Sequence, residues 1–184
     1  KRKLWKKMAK RIIAIGGEPA SGKSTLMKYI LKQYEPLKTF KYGLVRGLYN
    51  EENNLYFLGI YDNSVFCGTD KLSMAVQPHF LNLVEKMPES TFVFEGDRLF
   101  NQSLFDKKDC EIIVLNVTEK TNEDRHKKRN DNQTEKFKKS KKTKIKNILS
   151  KNKVTLINND TEEDNKKAKE TILKLIKCQT NPTL

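Results

Sequence analysis

Four short apolar runs along the chain have the pattern of buried strands. They are IIAI at residues 12–15, STFVFEGD at 90–97, CEIIVLNV at 110–117 and KVTLINND at 153–160. They are short, continuous and rich in β-branched or aromatic residues, which is typical of parallel strands covered on both faces. The four runs therefore predict the centre of a mostly parallel sheet.

Helix-period patterns fill three of the intervals around these strands. Residues 24–34, the later part of residues 70–86 and a final segment capped by Thr161 each repeat apolar residues at helical spacing. The apolar stripes are Leu26, Met27, Ile30 and Leu31; Phe80, Leu81, Leu83, Val84 and Met87; and Ala168, Ile172, Leu173, Leu175 and Ile176. Proline follows each of the first two helices and closes it. Alternating strands and helices predict an α/β fold.

Two segments between the first and second helices have a different pattern. Aromatic and aliphatic residues alternate with turn residues over FKYGLVRGLY (40–49) and NNLYFLGIYDNSVFCGT (53–69). This alternation predicts additional strands, with a hairpin turn about Asp62 and Asn63. The two segments therefore predict a small β-hairpin insertion.

Residues 118–151 are polar and strongly basic, and apolar residues return only at Ile145, Ile148 and Leu149. A segment of this composition cannot be ordinary core, so it predicts a mobile helical lid. The chain of 184 residues is then interpreted as one domain over residues 12–178. A basic arm at residues 1–11 precedes this domain, and a flexible tail at 179–184 follows it.

Charge adds a class of partner to this picture. The chain has 37 lysines and arginines against 23 aspartates and glutamates, a formal net charge of +14. Such an excess of positive charge favours polyanions as binding partners, although lysines often only make a protein surface soluble. Cys67, Cys110 and Cys178 lack C-x-x-C spacing and predict neither disulfides nor a zinc site, which fits a reducing cytoplasm. No apolar run is long enough for a membrane span, so no membrane partner is expected.

The sequence GEPASGKS at residues 17–24 satisfies the pattern G-x-x-x-x-G-K-[ST] between a predicted strand and a predicted helix. Its glycines let backbone N–H groups and a helix N-terminus converge on one anion. Lys23 is expected to reach the β- and γ-phosphates of ATP or GTP, and Ser24 to bind the Mg²⁺ that bridges them. Nucleotide contacts are expected at Gly17, Ala20, Ser21, Gly22, Lys23, Ser24 and Thr25.

Charged residues end the second of the four strands, and ligands of parallel sheets bind at such strand ends. Glu95 and Asp97 are expected to face the phosphate site, where a carboxylate can accept the proton of an acceptor hydroxyl or hold the Mg²⁺ shell. Arg98 can pair with a phosphate group through two N–H groups. Asp97 is favoured as the base, while the division of these two roles between Glu95 and Asp97 stays open.

Arginines in the lid supply a second set of candidates. Arg125 and Arg129 lie four residues apart and would share one face of a helix. Arginines that close over a γ-phosphate stabilise the charge that develops during transfer, so both are predicted to be catalytic together with Lys23. Asp70 precedes a predicted helix and either caps it or contacts substrate, and Arg46 at a strand end is a further substrate candidate.

The chain is too short for the extra domains of most motors, and N-K-x-D, the guanine signature of GTP switches, is absent from the sequence. Among nucleotide-binding proteins with such a loop, this leaves kinases that act on small molecules or on polymers. With its glycine-rich loop, FEGDRLF (94–100) and DRHKKRNDNQ (124–133), the chain resembles P-loop kinases of the nucleoside and nucleotide kinase group. GGEPASGKST, NLYFLGIYD, GTDKLSMAVQP and FEGDRLFN together resemble the bacteriophage 5-hydroxymethyluracil DNA kinases still more.

The resemblance covers residues 12–133 and implies a fold and an activity. The fold would be an α/β three-layer P-loop NTPase with a central, mostly parallel sheet, a β-hairpin insertion and a basic helical lid. The enzyme would act in the host cytoplasm, using ATP and Mg²⁺ to phosphorylate the hydroxymethyl group of 5-hydroxymethyluracil in DNA during thymidine hypermodification. Lysine and arginine would hold the DNA phosphates, and access through the major groove or by base flipping both stay open.

Two other functions fit the same residues. A thymidylate-type kinase of free nucleosides or nucleotides would use the same loop and acids, with an incidental positive surface. A non-catalytic nucleic-acid-binding ATPase would use the loop only as a switch. Transfer of phosphate to DNA, to free nucleotides or to neither separates the three functions.

Overall fold

A computed structural model describes residues 11–64 and 66–180. Its centre is one sheet of seven strands in the order β2-β3-β4-β5-β1-β6-β7. The strands are β1 (Ile12–Gly17), β2 (Lys38–Tyr42), β3 (Val45–Asn50), β4 (Leu55–Leu58), β5 (Thr91–Glu95), β6 (Cys110–Asn116) and β7 (Val154–Asn158). Strands β4, β5, β1, β6 and β7 run parallel, and β2 and β3 extend one edge as antiparallel strands. The predicted α/β fold with a mostly parallel sheet is confirmed.

Six helices flank the sheet within the described residues. They are α1 (Lys23–Gln33), α2 (Val76–Lys86), α3 (Gln102–Lys107), α4 (Glu119–Lys128), α5 (Glu135–Lys151) and α6 (Glu162–Thr180). The three helices predicted from periodicity correspond to α1, α2 and α6, and the hydroxyl of Thr161 caps α6 as expected. Because α6 continues to Thr180, the first two residues of the predicted tail are helical; residues 181–184 lie outside the described residues.

Two apolar cores lie on opposite faces of the sheet, and the alternation of strand side chains separates them. In β1, Ile12 and Ala14 join the core under α2, α3 and α5, whereas Ile13 and Ile15 join the core under α1 and α6. In β5 the larger side chains face α2, because Phe92 and Phe94 both make edge-on contacts with the ring of Phe80. The sheet is therefore the middle of three layers.

The predicted turn about Asp62 and Asn63 does not join two strands. The hairpins of this region turn instead at residues 43–44, between β2 and β3, and at residues 51–54, between β3 and β4. An antiparallel bridge between Ile60 and Gly68 closes a loop that contains Asp62, Ser64, Phe66 and Cys67. The carboxylate of Asp62 accepts a hydrogen bond from the backbone N–H of Ser64 at 2.9 Å within this loop, so a local contact replaces strand pairing.

The basic segment predicted to be a helical lid is helical. Thr118 and Thr134 cap α4 and α5 through their side chains, and Ile145 and Ile148 attach α5 to the core. The predicted basic arm lies outside the described residues except for Arg11, whose guanidinium donates to the carbonyls of Met87 and Ser90. Within the described part of the chain, no helix is long and apolar enough to cross a membrane.

Replacing Phe92 tests the assignment of the larger core. Phe92→Ala removes a fully buried ring that contacts Tyr56 and Phe80, so we expect the free energy of unfolding to fall by about 3–5 kcal/mol. Urea titration measures this loss. Leu156→Ala on strand β7 is the control, since Leu156 is 53 % exposed and its loss should cost less than about 1 kcal/mol. Equal losses in the two variants would contradict the assignment.

Candidate functional site

The glycine-rich loop at residues 17–22 joins the central strand β1 to helix α1. Gly22 precedes the first turn of α1 with a left-handed φ of 95°. A Cβ atom at Gly22 would lie 2.4 Å from the side-chain nitrogen of Asn159, so both the backbone angle and the space require glycine here. The junction between the loop and α1 therefore depends on glycine at position 22.

Side chains from α4 and from the end of β7 hold this loop in place. Asn159 donates to the carbonyl of Ser21 at 2.8 Å, and Asn122 donates to the carbonyl of Pro19 at 2.7 Å. Arg125 donates to the carbonyls of Ala20 at 3.3 Å and Asn159 at 2.6 Å. Because each bond uses a backbone carbonyl, these side chains constrain the backbone itself.

The ammonium group of Lys23 lies inside the loop. It donates to the carbonyls of Gly17 and Glu18 at 3.0 Å each. Burial lowers the pKa of Lys23, and the negative charge of Glu95 opposes this effect. Lys23 therefore places a cation among the backbone groups that would surround a bound phosphate.

Glu95 ends strand β5 and faces the first turn of α1. Its side chain is buried and accepts a hydrogen bond from the Ser24 hydroxyl, with 3.0 Å between Oε1 and Oγ. Burial raises the pKa of Glu95 to about 7, although Lys23 and Ser24 act in the opposite direction. The backbone of Gly68 closes the other side, because a Cβ there would lie 2.3 Å from Glu95 Oε1.

Asp97 lies two residues beyond Glu95 in a different environment. Its backbone N–H donates to Asp70 at 2.7 Å, and its carboxylate forms ion pairs with Lys141 and, at 3.2 Å, with Lys144. Burial raises the pKa of Asp97, but the two lysines outweigh burial and hold that pKa below its usual value. The pKa of Glu95 is thus raised and the pKa of Asp97 is lowered, each relative to its ordinary value.

These groups line one cavity between the glycine-rich loop, the end of β5 and α5. Its charged lining residues are Lys23, Asp70, Glu95, Asp97, Arg129, Asp131, Lys141 and Lys144. The free volume is about 90 Å³, well below the roughly 300–1,000 Å³ of typical small-molecule sites. A ligand of nucleotide size therefore requires this cavity to widen.

Most of the predicted site residues meet in this cavity. They are Gly17, Ala20, Gly22, Lys23, Ser24, Asp70, Glu95, Asp97 and Arg129. Ser21 is buried within the loop itself, and Thr25 is exposed on α1. The alternative role of Asp70 as a helix cap is wrong, because α2 begins at Val76 and Asp70 instead accepts the bond from Asp97.

Three predicted arginines lie elsewhere. Arg125 donates to backbone carbonyls of the loop and of Asn159 and does not line the cavity, although it lies close enough to Arg129 for the two charges to interact. Arg98 donates to the carbonyl of Leu72 at 3.2 Å. Arg46 lines a separate pocket of about 280 Å³, together with Lys41 and Lys71.

Sequence reasoning did not identify Asn122, Asn159, Lys141 or Lys144. Asn159 directly follows β7, so the rule that led to Glu95, polar residues at the end of a parallel strand, would also have found it. Lys141 and Lys144 are three residues apart and share a helix face, but many lysine pairs of α5 have such spacing. Only the fold shows which pair meets Asp97.

Ser24 and Glu95 are the groups that could hold a divalent cation. Within residues 11–64 and 66–180, no group of three or more His, Cys, Asp or Glu side chains is arranged to bind a metal. Mg²⁺ needs few protein ligands when phosphates and water complete its shell, and it prefers oxygen. A hydroxyl and a carboxylate 3.0 Å apart beside the glycine-rich loop suit that requirement.

Comparisons with known proteins add no assignment. The sequence matches no protein-family model, and no curated protein matches it significantly.

The raised pKa of Glu95 predicts a pH-dependent effect of Glu95→Gln. Between the ordinary pKa of 4.5 and about 7, folded Glu95 holds a proton that the unfolded chain has lost, so stability falls as pH rises through this range. Glutamine has no proton that titrates in this range, so the Glu95→Gln variant does not lose this stability as pH rises. In EDTA, the gain in unfolding free energy on Glu95→Gln should be greater at pH 8 than at pH 5 by roughly 2–3 kcal/mol.

Urea titrations at the two pH values measure this difference. Glu89→Gln, at an exposed position before β5, serves as the control and should change the free energy equally at both pH values. The assignment fails if Glu95→Gln also gives equal changes.

Proposed function

We propose that this protein is an ATP-dependent kinase that phosphorylates the hydroxymethyl group of 5-hydroxymethyluracil in DNA. One observation carries the proposal: a G-x-x-x-x-G-K-[ST] loop and two strand-end carboxylates line the same cavity. A donor triphosphate and an acceptor hydroxyl need these two kinds of group within reach of one another. The resemblance to the phage kinases supplies the identity of the acceptor base.

The loop and Lys23 would hold the phosphates of ATP, and this P-loop would position the γ-phosphate toward β5. Ser24 and Glu95 would hold Mg²⁺, which neutralises phosphate charge when bound. Arg129 lines the cavity and would stabilise charge during transfer. Arg125 would act indirectly, because its hydrogen bonds fix the carbonyl of Ala20 in the loop.

Asp97 would accept the proton of the acceptor hydroxyl. While Lys141 and Lys144 contact it, the pKa of Asp97 is low and the carboxylate is a weak base. Phosphates of an acceptor strand would compete for both lysines. Burial, which raises the pKa of Asp97, would then dominate and make the carboxylate a better base.

The charge of α5 supports a polymeric acceptor. The helix has eight lysines and one acidic residue. Within the described part of the chain, Lys136, Lys139 and Lys146 form no ion pair with a carboxylate. Such lysines can bind successive phosphate groups of a DNA strand, whereas a free nucleotide has far fewer phosphate groups for them to contact.

Labelled ATP tests both the reaction and the acceptor. Incubation with hydroxymethyluracil DNA, thymine DNA and free hydroxymethyldeoxyuridine nucleotides, followed by mass spectrometry of nucleosides, should show a gained phosphate only with the modified DNA. Lys23→Ala should reduce the transfer rate by at least about 10²-fold. Lys32→Ala, an exposed position on the same helix, is the control. Label only in free nucleotides would refute the DNA acceptor, and transfer to none of the acceptors would refute the kinase.

The two carboxylates should respond differently to removal of charge. Asp97→Asn is expected to lower the rate of transfer by about 10²–10⁴-fold while ATP affinity stays within about threefold, since a base acts on the acceptor side. Glu95→Gln should instead raise the Mg²⁺ concentration needed for half-maximal rate. Rates measured over a Mg²⁺ series check both, with Asp106→Asn on the exposed face of α3 as control. If Asp97→Asn transferred phosphate at the same rate as the unsubstituted protein, Asp97 could not be the base.

A further inference from the structure

Two aromatic side chains line the cavity and remain exposed. Phe66 is 57 % exposed and Phe137 is 41 % exposed, and both lie among the residues that surround Asp97. Most other phenylalanines of the described chain are buried in the two cores. Exposed apolar groups that line a polar cavity are candidates for a ligand-binding surface.

Phe66 lies in the loop that the bridge between Ile60 and Gly68 closes. The Ile60–Gly68 bridge closes the loop with backbone hydrogen bonds of 3.0 and 2.9 Å. Cys67 is buried, and the hydroxyl of Ser64 donates to the carbonyl of Phe66 at 2.6 Å. The hydrogen-bonded carbonyl of Phe66 and the buried Cys67 anchor this residue, while its ring stays accessible.

Phe137 lies on the first turn of α5 and is the one phenylalanine, tyrosine or tryptophan in residues 118–151. The ammonium group of Lys141 lies 4.9 Å from the centre of its ring, a cation–π contact between residues one helical turn apart. The same lysine pairs with Asp97. Phe137 is thus linked through Lys141 to the carboxylate proposed as the base.

We propose that Phe66 and Phe137 provide stacking faces for one unpaired base of a DNA strand, whose phosphates bind the lysines of α5. This inference rests on the proposed function, and it selects between the two routes of access to the acceptor. A base that stacks on these rings must lie outside a duplex, so the enzyme takes single-stranded DNA or a flipped base rather than a base paired in the major groove. Aromatic rings beside a lysine-rich surface are the usual elements of such sites.

Fluorescence anisotropy of labelled oligonucleotides without ATP tests the stacking faces. The probes are a 12-mer of thymidine, a duplex of the same length and a 12-mer of abasic residues, which keeps the phosphates and lacks bases. Tighter binding of the thymidine strand than of the duplex would indicate a single-stranded acceptor, whereas tighter binding of the duplex would indicate a flipped base. Phe66→Leu and Phe137→Leu should each weaken its binding by about 5- to 100-fold, as expected for a lost stacking contact.

Two comparisons separate stacking from charge. Both leucine variants should bind the abasic strand like the parent and keep the parent's salt dependence, because the lysines are unchanged. Phe137→Trp should retain binding, while Leu149→Ala, an apolar residue of α5 with 37 % exposure and outside the cavity lining, should have no effect. Thermal unfolding confirms that each variant is folded.

Two results would overturn the inference: unchanged thymidine binding in both leucine variants, or equal losses on thymidine and abasic strands. The labelled-ATP assay is read separately. Selective binding of the thymidine strand without transfer to modified DNA would reject the proposed kinase but leave the stacking faces intact. Transfer to modified DNA without dependence on either ring would reject only the stacking faces.

Discussion

Parallel pairing of β1 with β5 and β6 fixes the position of the charged groups at the candidate site. Ile15 pairs with Glu95 on one side, and Gly17 pairs with Leu115 on the other. The glycine-rich loop therefore begins where the acidic segment begins. A shift of one residue between β1 and β5 would move the Glu95 side chain to the opposite face of the sheet. The phenylalanines of β5 prevent such a shift, because they would leave the larger core.

Charge is balanced within this small volume by groups from distant parts of the chain. Lys23 opposes Glu95, while Lys141 and Lys144 oppose Asp97. The balance is uneven, since burial dominates at Glu95 and ion pairing dominates at Asp97. Two neighbouring carboxylates with pKa values shifted in opposite directions can take different chemical roles. The difference between the two pKa shifts comes from the surroundings of each carboxylate and not from the difference between glutamate and aspartate.

Patterns local in sequence predicted much of the fold. The apolar runs identified β1, β5, β6 and β7, and the loop pattern located Lys23 and Ser24. Predictions failed where long-range contacts decide. Asn159 bonds Ser21 across 138 residues, and Lys141 meets Asp97 across 44. Arg125 shows the same limit, because helical spacing placed it beside Arg129 but could not reveal the carbonyls that hold its guanidinium. The hairpin turn predicted at Asp62 was wrong, because this residue lies in a loop with local hydrogen bonds and not between two paired strands.

The contact of two lysines with one acid has a consequence for the fate of ATP in the proposed reaction. A water molecule offers no phosphates to Lys141 or Lys144 and cannot draw either lysine from Asp97. Water alone would therefore meet a weak base in a confined cavity, and futile hydrolysis would be slow. A DNA strand carries its own phosphates and would release the carboxylate as it binds. The lysines would then act as a checkpoint that ties consumption of ATP to the arrival of the correct acceptor.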